Sequence, residues 1–308
     1  MRFWIRESGF LEMELNDTGL KNFRTLEQEN IHEPSPRTIF WRRVFGHWGV
    51  IIGAFVLILI LVFAMTAPLL TPHDPYDQVL TRRLVNPIWH ADGTWTHPLG
   101  TDGMGRDYLS RLLYGARISL LIGISAMVIS GLIGSTMGLL AGYFGGRIDT
   151  VVRFLLTVRL AMPVVLVALA VVALVGGSLK VVILVLGFLI WDRFAVVMRS
   201  TAQQVRSMDY VNAAIAAGCS TFRILLTEIL PNVMNNLIVV ATLEMARAII
   251  LEAALSFLGL GVQPPLPSWG LMVSEGKEYM FFSPWLITIP GVALFMLVLS
   301  INLLGDGI

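Results

Sequence analysis

Charged side chains inside an apolar run are the first residues to explain. From Val233 to about Leu258 the chain is largely apolar, yet it carries Glu244, Arg247 and Glu252. On a helix Glu244 and Arg247, three apart, share a face. Glu252, eight residues beyond Glu244, returns to roughly the same side. A charge in the middle of a hydrocarbon layer costs about 2.5–3.5 kcal/mol on insertion scales, so none of the three should face lipid. Two chemistries fit Glu244 and Arg247: an ion pair that holds helix register, or a polar lining along a path through the layer. For Glu252, near the end of the run, packing or capping fits better.

Other chemistries have no support. Gly276-Lys277 is followed by Glu278 and lacks the upstream glycine of a phosphate-binding loop, so the chain has no P-loop of its own. There is no His-Glu-x-x-His motif and no Cys/His ligand cluster. His90 and His97 share a polar stretch, but without spaced carboxylates two histidines do not make a ligand set, and no metal is expected. No Gly-x-Ser-x-Gly elbow occurs, and no catalytic residues are expected. The single Cys219 excludes an internal disulfide.

Composition says which elements must position these charges. Only 14% of the 308 residues are charged and 56% are hydrophobic, against about 25% charged in a typical soluble domain. The formal net charge of +1 gives no electrostatic case for nucleic acid. The sequence therefore predicts an all-α polytopic membrane protein with six spans. Residues 1–47 are polar with seven Lys/Arg, among them Arg37, Arg42 and Arg43, and form an N-terminal tail. Residues 48–70 carry no charge and can cross a core of about 30 Å; the long tail before them argues against a cleaved leader. Residues 71–115 are a polar loop rich in turn formers such as Pro72, Pro75, Pro98 and Gly100.

The remaining residues, 116–308, hold five more spans. The second, Ile118 to Tyr143, places Ser130, Gly134, Gly138 and Gly142 on one face, a spacing that lets helices approach closely. The third runs from about Phe154 to Val175, with Arg153 and Arg159 expected to snorkel outward. The fourth covers Val181 to Met198, with Asp192 and Arg193 near its far end and not paired with each other. Residues 199–232 read as two short surface helices, with Gly218 a C-cap. The fifth span is the one with the three charges. Residues 259–285 are an irregular loop, and the sixth span is 286–304. Eleven basic residues flank the spans on the tail's side against six on the other, which predicts both termini in the cytoplasm and 71–115 and 259–285 outside.

The segment Asn212-Ala213-Ala214-x-x-x-Gly218, followed by Leu230-Pro231, resembles the Glu-Ala-Ala-x-x-x-Gly…Leu-Pro loop of importer permeases driven by ABC ATPases. Asn212 stands where that motif has Glu, and asparagine can still cap a helix. Small alanines permit close docking, and Pro231 can open the next span because its missing N–H is harmless there. Further segments narrow the resemblance: His97-Pro98-Leu99-Gly100-Thr101-Asp102 with Gly105-Arg106-Asp107, Gly115 to Leu120, Glu252 to Gly261, Pro267-Ser268-Trp269-Gly270, and Asn302 to Gly307. Over residues 40–308 the chain is similar to the C-type permease subunit of dipeptide and oligopeptide importers.

That resemblance implies a type I-like ABC importer permease in the bacterial inner membrane. It implies a second homologous permease, two ATPase subunits that bind ATP and Mg, and an extracytoplasmic solute-binding protein, with no cofactor in this chain. Asn212, Ala213, Ala214, Gly218, Leu230 and Pro231 would form the ATPase-coupling loop, and Glu244, Arg247 and Glu252 would line the translocation path. Asp102, Arg106, Asp107 and Trp269 would receive the binding protein. Nickel complexes or glutathione are alternative cargoes. A stand-alone secondary transporter is the rival of another class, but no internal repeat is visible. The family's short charged tail after Gly307 is expected beyond Ile308.

Overall fold

A computed structural model describes residues 48–307; the N-terminal tail proposed for residues 1–47 lies outside them. Among the described residues the architecture is helical, with one isolated bridge between Thr101 and Asp107. Ten α-helices of eight or more residues follow in order: α1 Trp48–Leu70, α2 Tyr108–Phe144, α3 Gly146–Ala161, α4 Val164–Val175, α5 Leu179–Leu189, α6 Asp192–Arg206, α7 Asp209–Ala216, α8 Leu230–Phe257, α9 Trp269–Gly276 and α10 Trp285–Gly305. Four stretches are long and apolar enough to cross a membrane: α1, α2, α5 with α6, and α10. The pair α3 and α4, bent by 84°, makes a fifth. Helix α8 has the length, at 28 residues, but is not among those five.

Helix α2 is the organising element. Asp107 caps it, accepting from Ser110 N–H at 2.8 Å, and Gly145 ends it with φ +65°. At 1.5 Å per residue its 37 residues span about 55 Å, so it overshoots a bilayer core. One end of the bundle carries residues 71–107 and is called here the loop end; the other carries α7 and is called the short-helix end.

The glycine stripe of α2 lies on the backbone of α6. A Cβ at Gly138 would sit 2.6 Å from the Ala195 carbonyl oxygen and 2.8 Å from Met198 Cβ; one at Gly142 would sit 2.7 Å from Ala202 Cβ. The missing side chains are therefore what permits the approach. Helix α1 packs on α10 in the same way, with Gly53 against Ser300. The outer faces stay apolar and exposed, for example Phe55, Met65 and Leu69 on α1 and Phe154 on α3, as a lipid-facing surface requires.

Two spans are not the straight helices the sequence suggests. The third breaks at Met162-Pro163, because Pro163 has no N–H to continue α3. The fourth breaks at Ile190-Trp191 between α5 and α6. The segment 259–285 is not merely irregular either: it contains α9, whose Trp269, Gly270, Leu271 and Met272 are buried in the bundle.

Candidate functional site

The short-helix end is built around Val211. Helix α7 buries this one side chain completely, against a cluster that includes Met198, Val205, Ile224, Ile229 and Val233. Burying a valine stabilises by about 1.5–3 kcal/mol, enough to hold a two-turn helix in place. The other face is solvent-exposed and apolar or small: Met208, Tyr210, Ala213, Ile215, Ala216 and, beyond the turn, Phe222 at 72% exposure.

The turn after α7 fixes that face. Gly218 has φ +76°, its N–H donates to Ile215 O at 3.0 Å, and Cys219 N–H donates to Ala214 O at 3.1 Å. This is a Schellman C-cap, and a non-glycine residue would be strained there. A Cβ at Gly218 would meet nothing within 4 Å, so the far side is open. Asn212 is not the helix cap; it lies inside α7, exposed, and Met208 holds the N-cap position without a side-chain bond. Pro231 stands in the first turn of α8, as expected, but the helical path starts earlier. The helix begins at Thr221, capped by Ser220, and passes through a π-helical stretch, Ile224–Ile229, just before Leu230 and Pro231. Proline withdraws one N–H there, and Asn232 Nδ2 donates to the Glu228 carbonyl at 2.6 Å.

Midway along the bundle five charges meet. Glu244 is fully buried and lies 3.3 Å from both Arg247 and Arg193. Arg247 also lies 3.8 Å from Asp192, which is 3.8 Å from Arg159. The charges come from three elements, at the far end of α3, the start of α6 and the middle of α8, each about 20 Å from the short-helix end by helix rise. Arg159 does not snorkel. It is buried and donates from Nε to Leu189 O at 2.5 Å and from Nη1 to Met162 O at 3.4 Å. One guanidinium thus serves a carbonyl at each of the two helix breaks. No local spacing pairs Asp192 or Arg193, because their partners stand on α3 and α8.

Glu252 stands apart from this network and fixes α9. Its Oε1 accepts from Ser256 Oγ and Ser268 Oγ, each at 2.8 Å, and Ser268 caps α9 by accepting from Leu271 N–H. Gly270 leaves room for the carboxylate, since a Cβ there would be 2.8 Å from Oε2.

At the loop end the four residues expected to receive a partner are buried. Arg106 bonds Asp102 at 2.6 Å and Glu275 at 3.1 Å, and Arg111 bonds Glu275 at 2.7 Å, tying the loop to α9. Asp107 caps α2. Trp269 donates from Nε1 to Leu112 O at 2.8 Å and lies against Gly115. These side chains knit the chain to itself and offer no surface. The exposed aromatics of this end include Tyr76, Trp89, Trp95, Phe281 and Phe282. Sequence reading also missed His73, which packs against His97 across the loop; no local spacing signals it.

A span-rich helical chain of this kind defines an integral-membrane protein. Residues 134–308 match the model of the binding-protein-dependent transport system inner membrane component, and residues 35–87 match the N-terminal transmembrane domain of oligopeptide transport permease C. The chain is 40% identical, over 89% of its length and 91% of the relative's, to a di/tripeptide transport system permease of Pseudomonas aeruginosa. It is 37% identical, over 89% of both chains, to a glutathione transport system permease of Pectobacterium atrosepticum. A solved structure of the MetNI methionine ABC transporter shares the fold, with a TM-score of 0.51 at 17% identity, over 64% of this chain and 93% of that one. The chain belongs to the family of binding-protein-dependent transport system inner membrane components, the ABC importer permeases.

Proposed function

We propose that the chain is one permease half of an ATP-driven importer that passes di- and oligopeptides delivered by a solute-binding protein. The observation that supports this most is α7. A helix held by one buried valine, with its small and apolar face turned outward, is suited to a groove on an ATPase. Asn212, Ala213, Ala214 and Gly218 lie on or beside that surface. Leu230 and Pro231 lie in the helix that continues from it toward the charge network. In this reading six spans, α8 among them, cross the bacterial inner membrane with both termini and the short-helix end in the cytoplasm. A second permease half, two ATPases that bind ATP and Mg, and the binding protein complete the assembly, and surrounding lipid contacts the outer faces. The chain itself needs no nucleotide site and performs no covalent chemistry.

Glu244 and Arg247, with Arg193 beside them, line the inner path, whereas Glu252 positions α9. The binding protein meets the loop end through exposed residues such as Trp89 and Trp95. Glutathione is the second cargo to weigh, because the glutathione permease relative is nearly as similar as the peptide ones. Nickel complexes remain a third. The broken spans are consecutive rather than in matching halves, which favours the ABC reading over a stand-alone carrier.

Reconstituted complex tests the proposal. Gly218→Ala tests the backbone strain alone, and Gly218→Leu adds bulk on the open side. Gly218→Leu should abolish ATPase association or its stimulation by loaded binding protein, while Gly218→Ala keeps most of it. If Gly218→Leu leaves association, stimulation and uptake unchanged, α7 is not the coupling element.

A further inference from the structure

The loop end holds a second constellation that the transport reading does not use. His73 lies three residues beyond α1, His97 lies in the middle of the loop, and Asp107 is the cap of α2. One ligand atom from each lies within 4.8 Å of the others. His97 Nδ1 is 2.8 Å from Asp107 Oδ1, and His73 Nδ1 is 3.8 Å from the same oxygen. The two imidazole rings are 4.6 Å apart between centroids. His97 and Asp107 are 6% and 2% exposed.

Three features separate this cluster from an ordinary buried hydrogen bond. First, it has an unsatisfied ligand atom. His73 Nδ1 is buried without a hydrogen-bond partner. Stranding such an atom costs about 1–3 kcal/mol unless something occupies it. Second, the charge is uncompensated by any fixed cation. Among the described residues Asp107 forms ion pairs only with the two histidines, and its Oδ2 is occupied by Ser110 N–H and Oγ. Oδ1 is held by His97 Nδ1 alone, a contact that an ion bound to both atoms would replace. Third, there is access. A cavity of about 340 Å³ lined by residues 71–76 and Tyr114 opens at His73, whose side chain is 34% exposed.

We infer that His73, His97 and Asp107 bind one divalent transition-metal ion, zinc by preference, with water from the cavity as a further ligand. Imidazole and carboxylate ligands suit zinc, with metal–ligand bonds of about 2.0–2.2 Å. A tetrahedron of such bonds has edges of about 3.3 Å, and the observed 2.8 and 3.8 Å bracket that value. The ion would tie the chain leaving α1 to the first turn of α2 and so close the loop as a ring. This inference concerns the loop alone and stands independently of the cargo and the coupling helix.

The test uses the full chain in its complex, purified on a tag without histidine and stripped with a chelator. Zinc is then titrated by calorimetry, and thermal unfolding is followed with and without zinc. Wild type should take up one equivalent more than His73→Ala, with at least about tenfold tighter binding at that site. Zinc should raise its unfolding midpoint and not that of the variant. Asp107→Asn keeps a capping side chain and should lose zinc likewise, whereas His90→Ala should bind as wild type does. Equal zinc uptake by wild type and His73→Ala, or an unchanged midpoint of wild type with zinc, would overturn the site and leave a plain His97–Asp107 hydrogen bond.

Discussion

Arg159 Nε donates to the carbonyl oxygen of Leu189, so a side chain from one broken span finishes the C-terminus of the helix in the next. The same guanidinium reaches Met162 O at the first break and faces buried Asp192. Both interruptions are thereby satisfied by one residue, in a region where unpaired backbone carbonyls are costly.

Replacing Arg159 by leucine should accordingly be among the most damaging single changes in the membrane region. It leaves Asp192 with Arg247 alone and takes the donor from two carbonyls, and removal of one buried partner costs about 3–5 kcal/mol. Thermal unfolding in detergent should show a large drop, partly restored by Arg159→Leu with Asp192→Asn. A midpoint unchanged in the single variant would mean that water already serves these groups.

Glu244 and Arg247 should behave as a coupled pair. Arg247→Leu should impair assembly or transport more than Glu244→Gln with Arg247→Leu, with a coupling of about 0.5–3 kcal/mol in a double-mutant cycle. Arg193 at 3.3 Å cushions the loss of Arg247, so Arg193→Gln should enlarge the effect. Strictly additive losses would indicate separate roles.

The α2–α6 seam should not tolerate a methyl group. Gly138→Ala places its Cβ 2.6 Å from Ala195 O. It should destabilise by about 1–3 kcal/mol, as overpacking does. The same change at Gly291, which meets nothing within 4 Å, should be nearly neutral. A scan of unfolding midpoints reads both.

Asp149 ties α3 to α6. It accepts from Arg199 Nε and, at 2.9 Å, from Arg199 Nη2, with Arg153 at 3.1 Å. Asp149→Asn should lower the unfolding midpoint, by the equivalent of about 1 kcal/mol or less. An unchanged midpoint would remove the pair from the account.

Topology is read by labelling single cysteines in a Cys219→Ser background. Thr94 and Ser207 are exposed at opposite ends of the bundle. Thr94→Cys should react with an impermeant reagent in cells with an opened outer membrane, and Ser207→Cys only after the inner membrane is breached. The reverse pattern would invert the orientation.

How far these features could be read from sequence depends on the distance along the chain between partners. The face shared by Glu244 and Arg247 follows from a spacing of three, and the glycine stripe of α2 from a spacing of four. Arg159, Asp192 and Arg193 find their partners on other helices, so neither the network nor the non-snorkelling Arg159 was legible. His73 meets His97 across a loop for the same reason. The polar segment around Asp102, Arg106 and Asp107 looked like surface because charged loops usually are. Its glycines held the missing signal: Gly100 and Gly105 have φ of +79° and +76° and fold the loop back on itself, which buries those charges. Pro163 was visible, but a long apolar run on both sides masked a bend of 84°.

The π-helical stretch at Ile224–Ile229 gives the molecule a mechanical joint. From Thr221 to Phe257 the chain forms one helical rod, with α7 hinged at its foot and Glu244 farther along its shaft. A rod whose regular bonding lapses at one level, just before a proline, is least stiff at that level. A force on α7 would flex the rod there before it strained the shaft. Stiffness along this helix is therefore graded, with the soft element below the five charges and the rigid one carrying them.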